Sequence, residues 1–306
     1  MTTMNSTEIK ERDKQYVLGT YARNDLCIAK GSGATCWSPE GGKYIDFSSG
    51  IGVNVFGFCD KGWIDAVTRQ LQTLQHTSNL FYTEPCGELA EMLVKRTGFD
   101  KVFFCNSGAE ANEGAIKAAR KYSYMKYGKG RHEIITLMNS FHGRTMTTIT
   151  ATGQEHYHKY FDPFPEGFLY AAINDPKDIK GKITDKTCAV MAEFVQGEGG
   201  VNDLDRDYVK AVYELCKEKD ILFIADEVQT GIGRTGKLFA YEHLNRSGPG
   251  DPGEGPWRGA SHRCDPVWER LFPCAFGGGS RHHLRRKSRD MRRRRRSAQA
   301  HGRGVP

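Results

Sequence analysis

Ile221-Leu222-Phe223-Ile224-Ala225-Asp226-Glu227-Val228-Gln229-Thr230-Gly231 is the stretch from which the fold is read. Its first five residues are apolar without alternation, the pattern of a strand buried on both faces. A strand of that kind delivers Asp226 and its successors to one edge of a sheet. Before it, Tyr208 to Lys217 has helical spacing. Farther out, Ala189 to Ala192 and Glu133 to Leu137 read as further strands, and Ala109 to Tyr127 as a long helix. Lys101-Val102-Phe103-Phe104-Cys105 reads as a short buried strand, Lys43 to Phe47 as another. Ile64, Val67, Leu71 and Leu74 have helical spacing, and Glu88 to Val94 continues in that style. Apolar strands alternating with helices predict an α/β fold, a mainly parallel sheet with helices on both faces.

The 306 residues suffice for one or two domains with a real core. The formal net charge is +7, but it is unevenly placed. Residues 246–306 carry 14 Arg and 1 Lys against 5 acids, a net of +10, so residues 1–245 carry −3. The tail also lacks Ile, Tyr, Asn and Thr, shows no helical or strand period, and reads as disordered. Its five arginines, Arg292 to Arg296, suggest salt-sensitive phosphate binding, yet no regular aromatics accompany them, so a nucleic-acid partner is not expected. No run of 18 apolar residues predicts a membrane span, and the polar stretch Met1 to Arg12 is no signal peptide. Nine scattered cysteines fit free thiols in a reducing compartment, and a cytoplasmic location is expected. His156/His158 and His282-His283 lack thiol partners at zinc spacing, so no metal is expected.

Four motifs follow strands. Asn106-Ser107-Gly108-Ala109-Glu110 has capping-box form at a helix start, and such a terminus suits a phosphate; read alone, it is a plain cap. Phe141-His142-Gly143-Arg144-Thr145 offers an aromatic to cover a flat ligand and an arginine to grip a carboxylate; read alone, it is a surface loop. Glu193-Phe194-Val195-Gln196-Gly197-Glu198-Gly199-Gly200 puts two carboxylates at the sheet edge where α/β ligands bind, or is a glycine-rich turn. Asp226 to Gln229 can set a carboxylate against a cationic ring nitrogen, or cap a helix. Gly231 to Gly236 also satisfies a dinucleotide GxGxxG and most of a P-loop. Asp226 to Thr230 separates it from its strand, and Leu238 follows Lys237 where a Ser or Thr is needed, so both readings fail.

In order, the four motifs resemble those of the class III, ornithine-type aminotransferases of fold type I, which use pyridoxal 5′-phosphate. The resemblance covers nearly all of residues 14–244. Tyr16-Val17-Leu18-Gly19-Thr20-Tyr21, Ser78-Asn79-Leu80-Phe81-Tyr82 and Gln196 to Gly200 look like the acetylornithine branch. The resemblance implies that Ser107, Gly108 and Ala109 bind the cofactor phosphate. It implies that Phe141 stacks on the ring with His142 beside it, that Val228 packs on the other face, and that Glu193 lines the pocket. Asp226 would pair with the ring nitrogen and Gln229 approach the ring hydroxyl. Arg144 would bind the substrate α-carboxylate. Glu198 would pair with a second arginine, letting an amino-acid substrate and 2-oxoglutarate share one site in arginine biosynthesis. The family has Pro where this chain has Phe194. The implied organisation is an N-terminal arm or small-domain segment over 1–45, a partial cofactor-binding large domain over 46–245 and a basic tail over 246–306. The C-terminal small domain would be missing, and the intact relative would be a homodimer.

The family's Schiff-base lysine lies in a Thr-Leu-Ala-Lys-Gly-Leu-Gly-Gly-Gly run after the aspartate. This chain has no lysine between Lys237 and Lys287. Codons for Asp251 to Arg263 can be chosen so that rereading one base later gives Thr-Leu-Ala-Lys-Gly-Leu-Gly-Gly-Gly-Leu-Pro-Ile-Gly. The same offset turns His282 to Ser288 into Thr-Thr-Phe-Gly-Gly-Asn-Pro, which resembles a later family motif. Two motifs in order and in one frame predict a frameshift near Leu244 to Arg246. The lysine would then be encoded across Glu254 and Gly255, and this chain is expected to have little or no activity.

Overall fold

The computed structural model describes residues 4–244 and the backbone of residues 271–273. The chain divides into two compact units between Tyr82 and Thr83.

The first unit opens with α1 (Ser6–Tyr16), capped reciprocally by Asn5 and Glu8: the Asn5 side chain accepts from the Glu8 N–H and Glu8 accepts from the Asn5 N–H, each at 2.9 Å. Strands β1 (Lys30–Ser32), β2 (Thr35–Trp37) and β3 (Lys43–Ile45) form an antiparallel meander. Helix α2 (Lys61–Thr73) is capped by Asp60. The expected periodic helix is present, but none of its residues is buried. Its apolar stripe has no cover among the described residues, and Phe47, Ile51, Val53 and Leu80 are likewise exposed.

The second unit contains α3 (Glu84–Thr97), α4 (Gly108–Tyr127), β4 (Glu133–Leu137), α5 (Met146–Ala151), β5 (Phe168–Ala171), α6 (Pro176–Lys182), β6 (Thr187–Glu193), the hairpin β7 (Val195–Gln196) and β8 (Asn202–Asp203), α7 (Arg206–Glu218), β9 (Leu222–Asp226) and β10 (Leu271–Pro273). The main sheet is parallel throughout, in the order β10-β9-β6-β4-β5. Strand residues alternate between two cores. Ile135, Val190, Ala192, Phe223 and Ala225 meet Val209, Val212 and Tyr213 of α7 on one face. Ile134, Ala189, Met191, Leu222 and Ile224 meet Ala111, Ala115, Ile116 and Ala119 of α4 on the other. This two-sided burial is what the unbroken apolar runs demand.

Two expectations are corrected. Lys101–Cys105 is not a strand: only Phe103 makes a β-bridge there, and that residue is exposed. In the tail, Leu271–Pro273 pairs with Phe223 to Ala225, so these residues are regular. The outer edge of β9 presents unpaired N–H and C=O groups that a short extended segment satisfies. The rest of the expectation for 246–306 lies outside the described residues. Phe194, where the sequence departs from the family's proline, is buried and stacks on Phe223 at 6.2 Å between ring centroids. Phe223→Ala should therefore cost about 3–5 kcal/mol in urea denaturation. A loss below about 1 kcal/mol would show that this core is not formed.

Candidate functional site

The carboxyl ends of β4, β6 and β9 bring the motifs together. Asp226 ends β9 and lies in register with Glu193, which ends β6. Both are buried. Asp226 Oδ2 accepts from His142 Nδ1 at 2.7 Å and from Asn112 Nδ2 at 2.8 Å, while Asp226 Oδ1 accepts from the Val228 N–H at 3.0 Å. Asn112 Nδ2 also donates to the His142 carbonyl at 2.7 Å. Glu193 Oε2 accepts from the Phe141 N–H at 2.9 Å, and the His142 N–H donates to Thr152 Oγ1 at 3.0 Å. The loop after β4 is thus fixed to two neighbouring strand ends.

Glycines allow the remaining approach. A Cβ on Gly108 would lie 2.5 Å from Val228 Cγ1, and one on Gly143 would lie 2.8 Å from Ala109 Cβ. A Cβ on Gly197 would lie 2.4 Å from Gln229 Oε1. The start of α4 therefore touches both the Asp226 and Phe141 loops, and the Glu193 loop touches Gln229. Ser107 caps α4 by accepting from the Glu110 N–H at 3.2 Å. The expected reciprocal box is displaced by one residue, because Glu110 accepts from the Asn106 N–H instead, at 2.5 Å. The N–H groups of Gly108 and Ala109 make no hydrogen bond among the described residues.

Arg144 and Glu198 belong to an adjoining group joined by Tyr157. The Tyr157 hydroxyl donates to Glu198, and Gln154 Nε2 donates to Glu198 Oε2 at 2.7 Å. The Arg144 guanidinium lies 5.1 Å from the Tyr157 ring centroid, and the Phe141 ring meets Tyr157 edge-on at 5.3 Å. Among the described residues Glu198 is held by Tyr157 and Gln154, and no second arginine joins them.

Asn112, Thr152, Gln154 and Tyr157 were not found by sequence reasoning. Asn112 left a signal: it shares the apolar face of α4 with Ala115, Ile116 and Ala119, where a polar residue needs a buried partner. The other three left none. The segments on either side of the GxGxxG loop are tied together through Glu227. This residue is buried and accepts from Thr230 Oγ1 at 2.5 Å and from the Ala240 and Tyr241 N–H groups at 2.8 Å each.

Burial alone works to lower the His142 pKa, but the hydrogen bond and charge of Asp226, helped by Glu193, outweigh it and raise it. Burial pushes the Glu193 carboxyl up to about 8, with His142 opposing and the Asp226 charge reinforcing the rise.

A family model for class-III aminotransferases matches residues 20–249. The chain belongs to the class-III aminotransferases. It is 55% identical over 242 residues to the acetylornithine aminotransferase of Haemophilus ducreyi, covering 79% of this chain and 62% of that protein. It is 52% identical over 231 residues to that of Caldanaerobacter subterraneus, covering 76% and 59%. This class-III chain thus spans about three fifths of the length of the curated relatives it matches. Among solved structures, the ornithine aminotransferase of Toxoplasma gondii, with partial occupancy of PLP at its active site, matches with a TM-score of 0.76 at 33% identity, over 80% of this chain and 58% of that one. The acetylornithine aminotransferase of Elizabethkingia anophelis matches with a TM-score of 0.68 at 33% identity, over 80% and 59%. The α/β sheet is that of fold type I aminotransferases. No helix among the described residues is long and apolar enough to cross a membrane.

Glu193 binds its proton in the folded state up to about pH 8, while an ordinary carboxyl loses it near 4.5. The folded state then holds more protons across that window, so this group's contribution makes stability fall as pH rises from 4.5 to 8. Glu193→Gln removes that contribution, and its stability should decline less than the parent's over the same window in chemical denaturation. Parallel pH profiles would contradict the burial assigned to this carboxyl.

Proposed function

We propose that this cluster holds pyridoxal 5′-phosphate, and that the chain derives from an aminotransferase acting on N-acetylornithine and 2-oxoglutarate. The observation that carries the reading is the buried Asp226, held by His142 and Asn112 directly beside the Gly108–Val228 contact. The residues present fit the group. The open N–H groups of Gly108 and Ala109, at the positive end of α4, suit a phosphate, with Ser107 fixing the turn. Phe141 and Val228 would cover the two ring faces, and Gln229 would approach the ring hydroxyl. When bound, the cofactor supplies an electron sink for negative charge developing at the substrate carbon.

The chain's own residues do the rest. Asp226 would keep the ring nitrogen protonated through charge pairing, while His142 Nδ1 and Asn112 Nδ2 hold its inner oxygen. Glu193 lines the pocket as a largely protonated carboxyl at neutral pH, adding no second negative charge beside Asp226. Arg144 would grip the substrate α-carboxylate bidentately. Glu198, positioned by Tyr157 and Gln154, would serve as the acidic side of the gate between the amino-acid and 2-oxo-acid substrates. A homodimer, as the resemblance implies, would cover Phe47, Ile51, Val53 and Leu80.

The lysine that should carry the cofactor belongs, on this reading, to a shifted frame at Glu254 and Gly255. The chain would then hold the cofactor without a covalent link and turn over at background level. Support comes from the sequence: the lysine-free stretch from 238 to 286 and the family model's end at residue 249. Sequencing the gene across Leu244 to Gly255 should show codons compatible with the shifted Lys motif, and codons that exclude it would end the frameshift reading.

Added pyridoxal 5′-phosphate should give induced circular dichroism in its absorption band, and inorganic phosphate should compete with it. Gly108→Val, which drives a side chain into Val228, and Asp226→Asn should each weaken binding about tenfold or more. Binding that both variants leave intact would place the cofactor elsewhere.

A further inference from the structure

Asn112 uses both hydrogens of its side-chain amide, one on the His142 carbonyl at 2.7 Å and one on Asp226 Oδ2 at 2.8 Å. Its own Oδ1 is buried and has no hydrogen-bond partner among the described residues. An orphaned buried oxygen costs about 1–3 kcal/mol, which leucine of similar size would avoid. Packing alone therefore does not account for an amide on the apolar face of α4.

The accounting of lone pairs on Asp226 shows what the amide does. A carboxylate offers about four acceptor positions, two per oxygen. Among the described residues Oδ2 has both occupied, by Asn112 Nδ2 and His142 Nδ1, while Oδ1 accepts only the Val228 N–H. One acceptor position is left, and it is on Oδ1. Without Asn112 the carboxylate could turn about its terminal bond, exchange its oxygens and present a different direction. The carbonyl of His142 fixes the amide at its other hydrogen, so Asn112 ties the Asp226 side chain to the loop that carries Phe141.

We propose that Asn112 is a positioning residue, which turns Asp226 so that Oδ1 is its single acceptor open to the ring nitrogen of the bound cofactor. This rests on the cofactor reading above and goes beyond it in naming the oxygen and the residue that selects it. The cofactor is reached only through Asp226, so removing Asn112 should harm recognition of the ring nitrogen and spare recognition of the phosphate and ring faces.

The test uses the full chain and two ligands without an aldehyde: pyridoxine 5′-phosphate, and the same molecule with its ring nitrogen replaced by CH. Neither needs a lysine to bind. The parent chain should prefer the nitrogen-containing ligand in fluorescence titrations. Asn112→Leu should reduce that preference about tenfold, the effect of one charge-assisted hydrogen bond, with the carbon analogue bound as before. Asn112→Ser, which cannot span both acceptors, should show the same selective loss and serves if leucine destabilises the fold. Equal weakening of both ligands, or an unchanged preference, would overturn the positioning role. Failure of the parent chain to bind either ligand would instead overturn the cofactor reading, and this inference with it.

Discussion

A carboxylate buried at the end of a central strand must be hydrogen-bonded, because an unpaired charge in a protein interior is far too costly. In this chain that carboxylate is Asp226. Its three donors come from three separate places: the first turns of α4, the loop after β4 and its own chain two residues on. Satisfying one side chain therefore fixes the relative positions of three segments. Glu193, one strand away, adds a fourth tie by accepting from Phe141. The loops at the carboxyl edge are held to one another by polar contacts within the protein.

Glycine makes the second contribution, by what it leaves out. Gly108 lets the N-terminus of α4 reach Val228, and Gly143 lets the Phe141 loop reach Ala109. Any side chain at Gly108 would push the start of α4 away from Val228. Together these approaches bring the N-terminus of α4 against the segment that follows the buried Asp226 carboxyl. On the reading proposed above, the helix end would take the phosphate of a flat ligand and Asp226 its basic nitrogen.

The sequence made the buried layers legible because both-face burial leaves an unbroken apolar run. Ile221 to Ala225 and Ala189 to Ala192 show it. The four motifs were legible because they begin where such runs end. Val102 to Cys105 is apolar too, yet a strand requires a partner ladder, and periodicity says nothing about whether one is present. The stripe on α2 has the same character: spacing gives a helix, not its cover. Asn112 and Tyr157 escaped because their partners, Asp226 and Glu198, lie far along the chain, and only the fold brings each pair into contact.

The central claim is that Asp226 Oδ1 and the N–H groups of Gly108 and Ala109 face one ligand. A crystal structure of the full chain with pyridoxal 5′-phosphate tests it most directly. The account predicts the ring nitrogen within hydrogen-bonding distance of Asp226 Oδ1, the phosphate on the start of α4, and the ring between Phe141 and Val228. A phosphate seated on the Gly231 to Gly236 loop, or a ring nitrogen turned away from Asp226, would contradict it.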